Sequence, residues 1–505
     1  MITRELPAHT RGNVMNSWNR WLATSLLIIF CWGLIAYPQE QKKETEKGPA
    51  TKTAPATAAP RDYPVKPVPF TSVHFNDAFW APRLEINRKV TIPFAFKKDE
   101  ETKRIYNFER AAAALRGEKL ADKTPPGYPF DDTDVYKVLE GAAYALNVQP
   151  DPELEAYVDG LIAKIGAAQE ADGYLYTTRT IDPEHPHRWA GTKRWEMEKV
   201  NSHELYDLGH LYEAAVAYYQ ATGKRSLLDI ALKTANLLDE TFGPGKQSIW
   251  PGHQITEMGL AKLYRATGDS RYLSLAKFML DARGPDGSRG SGRTYNQSHA
   301  KVVDQTEAVG HAVRATYMYS GMADVAALTG DLSYVNAIDK IWEDVADRKL
   351  YITGGIGATG SGEAFGGPYE LPNMSAYNET CAAVGNDFWN QRLFLLHGGR
   401  EIHRCNGANT LQRSHLRRVA RWQDILLSEP AGVGGPAQAQ SLVRRRLLPG
   451  KYHSLSAVGS RLRLRATRRR SLHQSVRRQH SRYQDGQWAK GEAGPGDALP
   501  VGRRS

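Results

Sequence analysis

The stretch HELYDLGHLYEAAVAYYQATGK, residues 203–224, decides the fold class. Its apolar residues recur at intervals of three and four positions, which is the period of one face of a helix. Gly223 follows the last of them, at the position where a left-handed residue commonly ends a helix. The stretch therefore predicts an amphipathic helix that stops at Gly223.

The same helix ending occurs three times in the chain, as ATGKRSLL (221–228), ATGDSRYL (266–273) and LTGDLSYV (328–335). In each copy an apolar stripe restarts four residues after the glycine, which predicts a second helix. The copies lie 45 and 62 residues apart, measured between their glycines. This repetition predicts a mainly α chain of antiparallel helix pairs, which can stack as a solenoid or close into a toroid.

The connecting loops favour the toroid. They carry aromatic, acidic and histidine residues, which suit the lining of a central cleft for a sugar. Examples are Trp195, His203, Trp250, His253 and Tyr295. The helical pattern is clear from about residue 130 onward, and alternation typical of strands is scarce.

The N-terminal region has the pattern of an export signal. Arginines precede the apolar run WLATSLLIIFCWGLIAY (21–37), and polar residues follow it at once. Residues 1–37 are predicted to be a cleaved signal peptide or, alternatively, a signal anchor, since the run is near the short limit for a membrane span. The protein is thus expected to be exported, to the periplasm or the cell exterior, and residues 38–66 are predicted to be a disordered linker.

The positive charge is concentrated at the C-terminal end. Residues 401–505 carry 19 Arg, 2 Lys and 6 acidic residues, a net charge of +15, whereas the whole chain has +11. The first 400 residues are therefore mildly acidic, at −4, which argues against nucleic-acid binding by this part of the chain. An Arg-rich tail that binds an anionic polymer remains one alternative.

A glycine-rich segment, residues 352–386, holds Glu363 and leads into a helix with Glu379 and Cys381. Such segments bring carboxylates close to a ligand. On spacing alone, two ligand types two residues apart are a weak metal signal, and a lone helical cysteine is more often a small buried residue. His203, His253 and His311 can each contact a sugar hydroxyl or cap a helix.

The phrases 203–224, 251–269, 305–331 and 362–382 resemble glycoside hydrolase family 127, which includes β-L-arabinofuranosidases. The resemblance covers residues 68–396. It implies an (α/α)6 barrel over residues 67–398, followed in the family by β-sandwich domains that are missing here. It also implies retaining hydrolysis through a zinc-bound cysteine thiolate.

Residue roles follow from the matching phrases. The resemblance implies that Glu363 is the general acid/base and that Glu379 and Cys381 are two zinc ligands. It implies that His203, His253 and His311 contact the substrate, an L-arabinofuranoside or a related glycan. A Cys-Cys pair further along the chain is implied to supply the nucleophile and the last ligands, and the sequence has none.

The Arg-rich residues 399–505 have the character of a shifted reading frame and are expected to be disordered. Codons for residues 401–416 can be written so that dropping one nucleotide yields the family-like helix KYIDVMERTLYNGLIS. The same shift turns residues 447–454, LLPGKYHS, into CCPGNITR, which contains the missing pair. We hypothesise a frameshift near residues 397–401, in the gene or in its sequencing.

As it stands, the chain has Leu447 and Leu448 where thiols are implied, and leucine can neither bind zinc nor attack a sugar. The sequence therefore predicts a β-L-arabinofuranosidase-type glycoside hydrolase that is inactive in this form. Two alternatives stay open: a metal-free helical-toroid epimerase or lyase, and a non-catalytic basic binding protein. The sequence does not indicate an oligomeric state.

Overall fold

A computed structural model describes residues 61–399 of the chain. The predicted signal segment, most of the predicted linker and the Arg-rich residues from 400 onward lie outside the described residues. Within the described part, no helix combines the length and the apolar character needed to cross a membrane.

Helices begin earlier than the sequence pattern indicates. Helix α1 (Trp80–Ile86) continues through a π-helical turn into α2 (Ile92–Glu101), and α3 (Arg104–Leu115) follows. The charged run at the end of α2 hides the apolar period there. The apolar period is clear only from about residue 130 onward, so the sequence did not predict these three helices.

Helices α4 (Asp132–Val148) and α5 (Pro152–Ala167) form the next pair, and α6 (Thr177–Thr180) is a single short turn. Asp151 starts α5 because its side chain accepts a hydrogen bond from the Leu154 amide, and proline occupies the first helical position. The chain then forms three helix pairs that share one design. They are α7 (Glu204–Thr222) with α8 (Ser226–Thr241), α9 (Thr256–Thr267) with α10 (Ser270–Ala282), and α11 (Ala312–Thr329) with α12 (Leu332–Asp344).

The predicted glycine caps are confirmed in all three pairs. Gly223, Gly268 and Gly330 have φ angles of 75°, 77° and 76°, the left-handed conformation that glycine adopts without steric cost. Asp269 and Asp331 then begin the following helices, because each carboxylate accepts a backbone N–H two residues ahead. The repeated phrase therefore ends one helix and starts the next.

The pairs build an inner and an outer layer. Helix α7 packs between α4 and α9, and α11 packs between α9 and the last described helix, α13 (Thr380–His397). All but one of the 18 residues of α11 are buried, whereas α12 buries one stripe. A helix buried all round lies in the interior, and an amphipathic one covers it. The predicted mainly α, (α/α)6-type toroid is confirmed.

The predicted linker extends too far. Tyr63 is 4% exposed and its hydroxyl donates to Asp324 of α11 over 2.8 Å. Asp62 forms an ion pair with Arg265, and the Val65 amide donates to the Leu395 carbonyl. Residues 61–65 therefore pack on the barrel. The composition of the segment did not predict this packing, because a single buried aromatic residue is enough to hold a short polar segment against the barrel.

Candidate active site

The inner helices begin at the same end of the barrel, because each outer helix returns the chain to its starting end. Four of the predicted site residues lie at these beginnings. His203, His311 and Glu379 are the N-cap residues of α7, α11 and α13, and His253 lies three residues before α9. Residues far apart in sequence thus meet at one end of the toroid.

The three histidines form a row. The ring centroids of His203 and His253 are 5.8 Å apart, and those of His253 and His311 are 5.6 Å apart. All three side chains are buried. The structure therefore brings together the residues that the resemblance implies as substrate contacts.

A glycine directly precedes two of these histidines because the backbone is crowded there. A Cβ atom on Gly252 would lie 2.1 Å from the Glu198 carbonyl oxygen, and one on Gly310 would lie 2.0 Å from the Thr294 carbonyl oxygen. No larger residue fits either place. The glycines at 252 and 310 therefore let two loops pack closely enough to place the rings of His253 and His311 in the row.

Hydrogen bonds indicate the protonation of the histidines. The Nδ1 atoms of His203 and His253 face backbone carbonyl oxygens at 2.7 and 3.0 Å, so each carries its proton on Nδ1 and keeps Nε2 as an acceptor. Burial lowers the pKa of His203 to about 3, with help from the charge of Arg314. Burial likewise holds the pKa of His253 well below its usual range. Both rings are neutral at pH 7.

His311 has the opposite arrangement. Its Nδ1 accepts a hydrogen bond from the Val313 amide at 3.2 Å, so its proton is on Nε2. That Nε2 lies 2.6 Å from Oε2 of Glu363. Burial lowers the pKa of His311, and the hydrogen bond to Glu363 opposes this shift. His311 therefore donates a short hydrogen bond to the predicted acid/base.

Glu363 lies on a turn that is tied to the start of α11. Ala364 forms an isolated bridge with His311, and the Phe365 amide donates to the Gly310 carbonyl over 2.9 Å. The Tyr377 hydroxyl donates to Oε1 of Glu363 over 2.8 Å. The hydrogen bonds from His311 and Tyr377 lower the pKa of Glu363 to about 2, with that from His311 the larger cause. The free site thus favours the carboxylate.

Glu379 belongs to the same group of polar atoms. One ligand atom each of His311, Glu363 and Glu379 lies within 4.8 Å of the others, which is a spacing that can hold a metal ion. Cys381 is exposed and is not a member of this group. It lies near Tyr206 and Tyr317, whose pKa values are raised mainly by burial, with a smaller contribution from Cys381.

Arg314 is a site residue that sequence reasoning missed. It is 4% exposed, and its guanidinium donates to the Gly252 carbonyl and approaches His203 Nε2 at 3.5 Å. It also lies 4.7 Å from the ring centre of Tyr295. The signal was an arginine on the otherwise apolar run AVRATYMY, since a buried charge needs fixed partners.

Two of the aromatic residues expected to line the cleft belong to the core instead. Trp250 is fully buried, and Trp195 is 8% exposed and packs against Tyr174 and Phe242. Tyr295, by contrast, is 38% exposed and lies 5.5 Å from the ring of His311. Loop position alone could not separate these cases, because a loop residue can point inward or outward.

Comparison with known proteins gives consistent matches. Residues 72–403 match the family described as the β-L-arabinofuranosidase GH127 catalytic domain. A non-reducing end β-L-arabinofuranosidase of Bifidobacterium longum subsp. longum is 39% identical over 318 residues, covering 59% of this chain and 47% of that protein.

Solved structures agree with the sequence matches. A GH127 β-arabinofuranosidase structure has a TM-score of 0.66 and 55% identity, covering 69% of this chain and 54% of the other. A GH127 β-L-arabinofuranosidase from Geobacillus stearothermophilus T6 has a TM-score of 0.61 and 38% identity, covering 66% and 55%. The chain thus spans about half the length of the relatives it matches.

Proposed function

This chain belongs to the GH127 β-L-arabinofuranosidase family, and from that premise we propose that its site hydrolyses β-L-arabinofuranosides in the intact form of the domain. The observation that carries the proposal is the hydrogen bond of 2.6 Å between His311 and Glu363. It places a carboxyl group, fixed in orientation, beside a row of neutral histidines, where a sugar can bind.

Glu363 is proposed to act as the general acid and then as the general base. As acid it donates a proton to the glycosidic oxygen as the bond to the anomeric carbon breaks, and as base it takes a proton from the attacking water. Two donors favour its carboxylate form. Glu363 must therefore take up a proton before it can act as the acid. His311 and Tyr377, which donate hydrogen bonds to its carboxylate, act as positioning residues.

The histidine row is proposed to hold the sugar. The Nε2 atoms of His203 and His253 are acceptors, and neutral imidazoles match the hydroxyl groups of an uncharged furanoside. The buried guanidinium of Arg314, 3.5 Å from His203, keeps one ring in its orientation. These contacts fit a glycan, because neutral imidazoles offer hydrogen-bond acceptors to hydroxyl groups.

Zinc is proposed as the cofactor of the intact site. Glu379 and Cys381 offer a carboxylate and a thiol at the start of α13, which are ligand types that zinc accepts, and Glu379 lies close to His311 and Glu363. A structural or catalytic zinc takes further ligands, and the resemblance implies that they come from a Cys-Cys pair. When bound, zinc would lower the pKa of a coordinated thiol.

The 505-residue chain is proposed to be inactive, because Leu447 and Leu448 replace that pair. The test compares it with a protein from a gene whose frame is restored near codons 397–401. We expect the restored protein to bind zinc and to hydrolyse 4-nitrophenyl β-L-arabinofuranoside with retention, measured by NMR. We expect no turnover by the 505-residue chain.

The outcomes separate the candidate functions. Turnover by the 505-residue chain would disprove its inactivity. A restored protein without zinc that converts sugars by epimerisation or elimination would replace hydrolysis with the metal-free alternative. Restored protein that binds no arabinofuranoside would overturn the proposal altogether.

A further inference from the structure

The turn that carries Glu363 lies next to two tyrosine rings. A Cβ atom placed on Gly360 would lie 3.6 Å from Cδ2 of Tyr377, and one placed on Gly362 would lie 3.6 Å from Cδ2 of Tyr295. The turn Ser361–Glu363 and the glycine before it therefore lie against both rings. Neither tyrosine has a role in the chemistry of bond cleavage described above, apart from the hydrogen bond of Tyr377.

Both rings are held in place and yet partly open to solvent. Tyr295 is 38% exposed, is backed by the buried guanidinium of Arg314 at 4.7 Å, and meets the His311 ring at 73°. Tyr377 is 42% exposed, and its hydroxyl is bonded to Glu363. Large aromatic surfaces that are fixed and exposed beside a polar site are typical of ligand contacts.

We propose that Tyr295 and Tyr377 form the subsite for the leaving group. The inference rests on the proposed function. Because Glu363 must protonate the glycosidic oxygen, the group attached to that oxygen departs next to Glu363, which is where the two rings lie. His203 lies at the far end of the histidine row from His311, and the row is proposed to hold the sugar itself.

The chemistry of the rings defines the class of leaving group. An aromatic face attracts groups that offer a flat surface with C–H bonds or another π system. The subsite therefore favours a second sugar ring or an aromatic aglycone over a small alkyl group. A charged leaving group gains no ion pair from either tyrosine.

A purely structural role for the rings makes a different prediction. Rings that only support the glycine-rich turn would affect all arabinofuranosides equally, since the turn positions Glu363 for every substrate. A leaving-group subsite instead changes the difference in affinity between two substrates that share a sugar and differ in the leaving group. Two ligands, together with variants of Tyr295 and a control variant elsewhere, separate these roles.

The experiment measures binding to the full 505-residue chain by isothermal titration calorimetry. The probes are 4-nitrophenyl and methyl β-L-arabinofuranoside, which differ only in the leaving group. We expect the aromatic glycoside to bind about threefold to tenfold more tightly, a typical effect of one aromatic contact. Tyr295→Ala should remove this preference and change the affinity for the methyl glycoside less than about twofold.

Tyr157→Ala is the matched control, because Tyr157 is 37% exposed and lies on α5, against Phe96. It should leave both affinities unchanged. Tyr295→Phe keeps the ring and should keep the preference. If Tyr295→Ala does not melt cooperatively, Tyr295→Leu replaces it, since leucine fills space without a flat face.

The outcomes are distinct. If neither glycoside binds the parent chain, the subsite is disproved in this chain, whereas the proposed function fails only if the frame-restored protein also binds neither. If both bind and Tyr295→Ala keeps the preference, the subsite alone is disproved. If both affinities fall by the same factor in Tyr295→Ala, the ring serves the shared sugar or the turn, and the assignment to the leaving group is wrong.

Discussion

The two ends of the inner helices use the same backbone conformation for different purposes. At the C-terminal ends, Gly223, Gly268 and Gly330 adopt left-handed φ angles of 75–77°. At the site end, His203 and Glu363 adopt left-handed φ angles of 65° and 51° despite their side chains. Non-glycine residues in this region cost about 1–3 kcal/mol. The C-terminal ends of the inner helices thus use glycine to avoid backbone strain. At the site end, strained residues orient functional groups.

The largest effect expected at the site end is on activity rather than stability. Glu363→Gln in the frame-restored protein should lower kcat/KM by about 10²–10⁴-fold, because the amide cannot donate or take the proton. Its thermal midpoint should stay within a few degrees of the parent, since glutamine can still accept from Tyr377. A midpoint that falls sharply, with activity retained, would show that Glu363 serves the fold.

At the opposite end of α11, a substitution should lower stability rather than activity. Asp324 is 1% exposed and accepts hydrogen bonds from Tyr63, Arg265 and Arg392 at 2.7–2.8 Å. Asp324→Asn removes the carboxylate that both guanidinium groups share, while Arg265 keeps its ion pair with Asp62. We expect a loss of about 3 kcal/mol in the free energy of unfolding, measured with urea.

Tyr63→Phe provides the control for this network. It removes one hydrogen bond and leaves both ion pairs, so about 1 kcal/mol should be lost. A loss in Asp324→Asn no larger than that of Tyr63→Phe would mean that the ion pairs add nothing to stability at this end.

Buried carboxyl groups near the site end should make stability depend on pH. Burial raises the pKa values of Asp132 and Glu204 to about 7 and that of Glu198 to about 8. The unfolded chain has ordinary values near 4, so folding takes up protons between about pH 4 and 8. The stability these groups provide is therefore present at low pH and lost as pH rises through 7–8.

We expect the free energy of unfolding to fall by roughly 2–4 kcal/mol from pH 5 to pH 8.5, measured by urea titration at each pH. Glu198→Gln, which is neutral at every pH, should flatten this dependence. Stability that rises over the same interval would contradict the raised pKa values.

The smallest effects should come from single glycines. Gly223→Ala forces a Cβ into the left-handed region where no neighbouring atom lies within 4 Å, so only backbone strain changes. We expect a loss of about 1 kcal/mol. Gly160, exposed within α5 and equally open, is the control, and Gly160→Ala should stabilise the protein by about 0.5–1 kcal/mol. Equal effects at both positions would show that the left-handed cap does not matter.

The sequence predicted the repeated part of the barrel well, because helix periodicity and helix caps are short-range properties. The ends of α7, α9 and α11 followed from one phrase. Helices α1 to α3 were not predicted, because charged residues obscure the apolar period there. The packing of residues 61–65 was not predicted either, because one buried ring, that of Tyr63, hardly changes the composition of the segment.

For the site, the sequence by itself determined which residue types were available, and the family resemblance pointed to His203, His253, His311, Glu363 and Glu379. Only the tertiary structure decided which of them meet, because their distances depend on how separate helices pack. It alone showed the bond between His311 and Glu363, the buried Arg314 and the two tyrosines beside the turn. Local patterns encode where a helix begins, whereas the meeting of four helix beginnings is a property of the closed fold.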